Sequence, residues 1–162
     1  MRKILLLGCP GSGKSTFGRK LRDKTGLPLF YLDQIWFRED KTTVPREVFD
    51  ARLQKITSGP EWIIDGNYQR TIETRLKSCD TVFLFDLPYE VCLQGALERV
   101  GNDREDLPWK EREADPEFLQ WIHDFPHDAL PYIRELLKKY EGRFQLTEFH
   151  SREEADKFIE TL

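Results

Sequence analysis

The chain has 162 residues, with 29 acidic side chains, 25 Lys and Arg, and a formal net charge of −4. That length suits one compact domain, expected to span residues 1–162. The acidic balance argues against a protein whose main task is to coat nucleic acid or an anionic membrane, so direct nucleic-acid binding is not expected.

Three cysteines, Cys9, Cys79 and Cys92, are odd in number and show no C-x-x-C spacing. A disulfide framework or zinc site is therefore not expected, and a reduced, cytoplasmic compartment is. No apolar run approaches the roughly 20 residues that span a bilayer. The run after Met1-Arg2-Lys3 is too short to act as a secretion signal.

Apolar runs alternate with amphipathic stretches along the chain, which predicts an α/β fold with a parallel sheet. Lys3-Ile4-Leu5-Leu6-Leu7 reads as a strand buried on both faces. It runs into Gly8-Cys9-Pro10-Gly11-Ser12-Gly13-Lys14-Ser15, then Thr16, the full pattern G-x-x-x-x-G-K-[ST] of a phosphate-binding loop. The residues that follow place Phe17 and Leu21 on one helical face. Strand, glycine-rich loop and helix is the context in which this motif carries meaning.

Residues 27–32 read as a second strand with Asp33 at its carboxyl end, and Pro45 opens a helix that Gly59-Pro60 stops. Trp62-Ile63-Ile64 reads as a third strand ending at Asp65-Gly66, with residues 68–77 helical after it. Residues 81–85 make a fourth strand ending at Asp86, followed by a helix over 89–100. Residues 101–115, dense in charge and broken by Pro108, read as a lid. Helices are expected over 116–122 and 130–140, and a fifth strand over 143–146. Ser151-Arg152-Glu153-Glu154 is a capping box opening a last helix.

Open parallel sheets bind ligands beyond the carboxyl ends of their strands. The glycine loop, Asp33, Asp65 and Asp86 all fall on that rim. Glycines let backbone N–H groups converge on an anion, and the helix start adds its dipole. Lys14 can reach the β- and γ-phosphates, and the Ser15 hydroxyl can hold Mg²⁺. Asp65 is the candidate carboxylate for the same metal, with Asp86 as its rival. Asp33 is a candidate to accept a proton from an attacking hydroxyl, and Arg70 to hold an acceptor anion. Arg99 and Arg104 flank the lid and suit charge on a transferring phosphoryl group. Trp109, Phe118 and Trp121 are expected in the core, and the three histidines to be structural. Cys9 is expected to face away from the ligand.

Ile64-Asp65-Gly66-Asn67-Tyr68-Gln69-Arg70-Thr71 is similar to the D-G-F-P-R-T segment of adenylate kinases, with one residue inserted. Glu98-Arg99-Val100-Gly101 through Arg104 looks like the start of their lid. Asp33 resembles the acceptor-side aspartate of shikimate- and gluconate-kinase-like enzymes. Nearly end to end, the chain resembles the bacterial DNA topology modulation proteins, which are adenylate-kinase-like P-loop proteins. Their features match residues 8–16, 31–36, 62–71 and 121–126 here. The resemblance implies a five-stranded parallel sheet of nucleoside-kinase type, ATP with Mg²⁺, and a cytoplasmic bacterial setting. It also implies that Gly13, Lys14, Ser15 and Thr16 meet the phosphates.

Three functions compete at this point. One is an ATP-Mg-dependent kinase acting on an unidentified small-molecule acceptor or nucleotide. Another is an ATP-binding regulatory module that influences DNA topology or gene expression through a partner. The last is a nucleotide-binding protein without turnover. No N/T-K-x-D guanine-reading motif stands out, which points toward adenine.

Overall fold

The computed structural model describes residues 1–162. Five parallel strands form one sheet: β1 (Lys3–Gly8), β2 (Leu29–Tyr31), β3 (Trp62–Asp65), β4 (Thr81–Phe85) and β5 (Gln145–Phe149), in the order β2-β3-β1-β4-β5. Eight helices accompany them: α1 (Lys14–Thr25), α2 (Leu32–Trp36), α3 (Arg46–Thr57), α4 (Gln69–Leu76), α5 (Tyr89–Glu98), α6 (Pro116–Asp124), α7 (Ala129–Lys139) and α8 (Arg152–Glu160). This is a P-loop kinase fold. No helix is long and apolar enough to cross a membrane.

The apolar runs account for the middle of the sheet. Ile4 to Leu7 of β1 have no solvent exposure, and every residue of β3 and β4 is buried. Strands covered on both faces have no room for polar alternation. Leu6 pairs with Asp65, and Gly8 pairs with Phe85, so the phosphate loop leaves the sheet between β3 and β4. Strand order reverses at β1, and that switch point is where such sheets open a crevice.

Helix α1 is anchored by its first apolar residue. The Phe17 ring meets Phe83, Phe85 and Phe149 at centroid distances of 5.0, 5.3 and 5.3 Å. Phe158 of α8 closes the cluster at 5.0 Å from Phe83. Edge-on aromatic contacts of this kind each add about 0.5–1.5 kcal/mol beyond area burial. They fix the helix that begins with Lys14 and Ser15.

Several boundaries differ from expectation. The second strand is only three residues long, and the chain turns directly into α2, so Asp33 sits in the first turn of a short helix. The fifth strand starts at Gln145 and runs to Phe149 rather than 143–146. It is the sheet edge, with Gln145 and Leu146 exposed, so its apolar pattern is weak. Helix α5 ends at Glu98, which leaves Arg99 as its C-cap. Residues 101–115 contain no helix or strand. They are tied down instead. Gly101 N–H donates to Glu111 O at 2.6 Å, and Arg22 pairs with Glu105 at 3.0 Å.

Candidate active site

The phosphate loop is held open by contacts to two neighbours. Gly8, Gly11 and Gly13 have φ values of 137°, 81° and 100°, in the left-handed region that side chains avoid. At Gly11 a Cβ would collide with the Cys92 carbonyl oxygen, because α5 packs directly on the loop. Gly95, one turn further along α5, makes the matching close approach to Gly11 O. Arg152 at the start of α8 donates to that same Gly11 oxygen at 2.9 Å. Cys9 faces inward against Cys92 and is buried. The neighbouring Cys92 thiol, together with burial, holds its thiol far above the usual range, so it stays protonated.

Asn67 ties the loop to the next strand. Its amide accepts from Gly8 N–H at 3.0 Å and donates to Gly8 O at 2.8 Å. The side chain thus pairs both polar groups of one residue, as a neighbouring strand would. Lys14 Nζ donates to Gly8 O at 2.8 Å and Cys9 O at 3.1 Å. Burial lowers the Lys14 pKa, and the Asp65 charge opposes that shift. Ser15 Oγ donates to Asp65 Oδ2 at 2.5 Å. Burial raises the Asp65 pKa, against the pull of Lys14 and Ser15. A hydroxyl and a carboxylate meeting beside a phosphate loop are hard oxygen donors of the kind Mg²⁺ takes. The donor chemistry therefore fits that ion.

Asp86, the rival for the metal, is engaged elsewhere. It accepts from Arg134 at 2.6 Å, and Arg134 also pairs with Glu148 at 2.9 Å. Asp86 lines neither of the cavities described below.

Asp33 is pinned by a hydroxyl. Tyr68 Oη donates to Asp33 Oδ1 at 2.5 Å. Burial pushes the Asp33 carboxyl above the ordinary range; the Tyr68 bond opposes this, and the Asp65 and Asp106 charges reinforce it. Tyr68 has φ 37°, a left-handed conformation costing a non-glycine residue about 1–2 kcal/mol. Arg75 supports it. That side chain is fully buried and donates to the Gly66, Asn67 and Tyr68 carbonyls.

Arg70 is not brought to the site. It makes a two-pronged ion pair with Asp50, at 2.7 and 3.1 Å, on the outer surface and lines neither cavity. The residue expected to hold an acceptor anion thus points away from both cavities in this structure. Arg70 and Arg75 lie five residues apart, which turns them about 140° from each other on a helix. Arg75, not Arg70, faces inward.

Two cavities of about 700 and 720 Å³ open on this rim. The first runs from Gly11 through Thr16 to Arg19, Arg152 and Asp156, and only 3 of its 21 lining residues are hydrophobic. The second is bounded by Asp33, Asp65, Tyr68 and the far side of the lid, with 7 hydrophobic residues among 21. Trp109, Phe118 and Trp121 line it; Phe118 also packs against the core, as expected, whereas Trp109 and Trp121 are cavity walls outside it. Lys14, Ser15, Arg99, Arg104 and Asp106 line both cavities.

Residues 99–106 supply much of the shared wall. Arg104 pairs with Asp106 at 2.5 Å and with Glu111 at 3.1 Å, the first pair being less than a tenth exposed. Arg99 Nε is buried without a hydrogen-bond partner. Burial, and then the like charge of Arg104, lowers the Arg99 pKa. Two guanidinium groups lining one wall favour an anion beside them.

Asn67, Tyr68, Arg75, Gly95, Asp106 and Arg152 belong to this geometry and were not candidates from sequence. Asn67 and Tyr68 lie inside the Ile64–Thr71 segment and could have been read from it. Arg152 reaches Gly11 across 141 residues, and no local pattern announces that.

The fold and rim define a protein with a phosphate-binding loop at the carboxyl edge of a five-stranded parallel sheet. No protein-family model matches the chain. It is 27% identical to adenylate kinase from Thermotoga neapolitana, over 61% of this chain. The chain spans about 59% of the length of the curated relatives it matches. Among solved structures it is similar to shikimate kinase from Acinetobacter baumannii in complex with shikimate, with a TM-score of 0.62 and 22% identity. That match covers 99% of this chain and 92% of the other. Shikimate kinase from Bacteroides thetaiotaomicron follows, with a TM-score of 0.57, 16% identity, and coverage of 98% and 94%. These two likenesses show the fold.

Proposed function

We propose that the protein is a kinase that transfers the γ-phosphoryl group of ATP to a hydroxyl of a small-molecule acceptor. The observation that carries this reading is the junction of two cavities at Lys14, Ser15, Arg99, Arg104 and Asp106. A polar cavity around the glycine loop suits a triphosphate, and a second cavity suits an acceptor. A regulatory switch has no need of the second cavity at that point.

The chemistry follows from the residues. Backbone N–H groups of Gly11 to Lys14 hold the phosphates, with Lys14, Arg99 and Arg104 countering their charge. The acceptor oxygen bonds to the γ-phosphorus while the bond from that phosphorus to the bridging oxygen breaks, and ADP leaves. Asp33 takes the acceptor proton. Tyr68 holds Asp33 in place for that step. Ser15 and Asp65 would hold Mg²⁺, which neutralises phosphate charge when bound. The lid, with Arg104 on it, excludes water.

The test is ADP release from ATP with Mg²⁺ across a panel of small alcohols and nucleotides. Acceptor-dependent release that falls at least about 100-fold in Lys14→Ala supports the kinase. ATP binding without acceptor-dependent release by any compound overturns it.

A further inference from the structure

The acceptor cavity has an uneven charge that narrows what it can hold. Its cations are not spread through it. Lys14, Arg99 and Arg104 all stand at the junction with the nucleotide cavity. Arg104 is already paired with Asp106 and Glu111. Beyond the junction the only cation is Lys41, which sits 5.8 Å from the centroid of the Trp109 ring. Arg70, the residue expected to capture an acceptor anion, is outside, locked to Asp50.

The carboxylates of this cavity are distributed differently. Asp33 is bonded to Tyr68, Asp65 to Ser15, and Asp115 caps α6 through the Glu117 N–H at 3.0 Å. None of these three is neutralised by a salt bridge. Beyond the junction, an acceptor bearing a carboxylate or phosphate would face like charge with one exposed lysine to offset it. Removing such an anion from water without a matched partner is costly.

The rest of the wall is aromatic. Tyr31, Phe37, Tyr68, Trp109, Phe118 and Trp121 line the cavity. Phe37 meets Trp109 edge-on at 5.2 Å, which props the indole upright from the lid side. Rings of this kind hold flat ligands by stacking. Lys41 already occupies a cation position over Trp109, which works against a cationic ligand there.

We propose that the acceptor is an uncharged, flat-ring alcohol of about nucleoside size, with its hydroxyl at Asp33 and its ring among Trp109, Phe118 and Trp121. This rests on the kinase reading for the transfer step, but the ligand class is read from the cavity alone. The volume of about 720 Å³ is in the range of cavities that enclose such molecules. Transfer forms a phosphate monoester on that hydroxyl, with ATP as donor, ADP as leaving group and the proton passing to Asp33.

Two separate readouts keep the ligand class and the kinase reading apart. Equilibrium binding by calorimetry, in the presence of ADP, would compare four nucleosides with their 5′-monophosphates, with shikimate and with choline. ADP release would then be followed with the same compounds. The expected result is that at least one nucleoside binds at least tenfold more tightly than its monophosphate, shikimate or choline. Trp109→Ala should weaken that binding about 10-fold, and Trp109→Phe should retain most of it. ADP affinity reports whether each variant is folded, since Trp109 does not line the nucleotide cavity.

Nucleoside binding without transfer supports the ligand class and counts against the kinase. Binding and turnover restricted to the monophosphates, shikimate or choline overturns the ligand class and leaves the kinase standing. No binding by any nucleoside overturns the ligand class as well.

Discussion

At the scale of single residues, the Asp33–Tyr68 pair has a pH signature. Burial raises the Asp33 pKa, and the bond from Tyr68 pulls it back. Asp65, Asp106 and Arg104 are the other charges that act on it. As the proposed base, Asp33 would work only when ionised, so turnover should fall as pH drops through a value above the usual carboxylate range. Removing the phenol in Tyr68→Phe takes away the opposing bond. The acidic limb of kcat/KM against pH should then move to higher pH; an unmoved limb would separate Asp33 from the proton transfer. The two arginines of α4 make a second contrast. Arg70→Ala should cost at most about 1 kcal/mol, as for other exposed ion pairs. Arg75→Ala takes its donor from the Gly66 and Asn67 carbonyls, while the Tyr68 carbonyl keeps the Thr71 N–H, and should cost roughly 3–5 kcal/mol. Urea unfolding of both variants measures the difference.

At the scale of elements, α1 and α8 carry the phosphate loop between them. Phe17→Ala removes a ring packed on Phe83, Phe85 and Phe149 and should cost about 3–5 kcal/mol. Ser151→Ala should cost about 1 kcal/mol, because Ser151 Oγ accepts the Glu154 N–H at 3.1 Å. Both are read from shifts in denaturant midpoint. Elements of this weight were legible in sequence where the pattern is contiguous. The glycine loop sits in eight successive residues, and β1, β3 and β4 are unbroken apolar runs because both their faces are covered. The edge strand β5 was displaced because half of it faces solvent. Helix α2 was invisible because five residues are too few to show a period. The site was legible in parts for the same reason. Lys14, Ser15 and Asp65 announce themselves by motif or by a strand end. Asn67 and Arg152 act on the loop across 59 and 141 residues, distances at which spacing carries no signal.

At the scale of the whole molecule, the 101–115 segment and the proposed base Asp33 should respond to acid in a fixed order. Burial alone would raise the Asp106 pKa, but Arg104 and Arg99 outweigh it, and the net shift is downward. A carboxylate held below its unfolded pKa stabilises the fold above that pKa, and the contribution is lost as pH falls through the lower, folded value. Asp33 shifts the other way. Acidification should therefore silence turnover while the Arg104–Asp106 pair still holds the lid. Proteolytic nicking within 101–115 should begin only at lower pH. Nicking that precedes the loss of turnover would reverse this order.

The wall common to both cavities also makes them one thermodynamic unit. Whatever draws Arg99 and Arg104 toward one side alters the charge presented to the other. Linkage then requires that a nucleotide which tightens acceptor binding by some factor be tightened by the acceptor through that same factor.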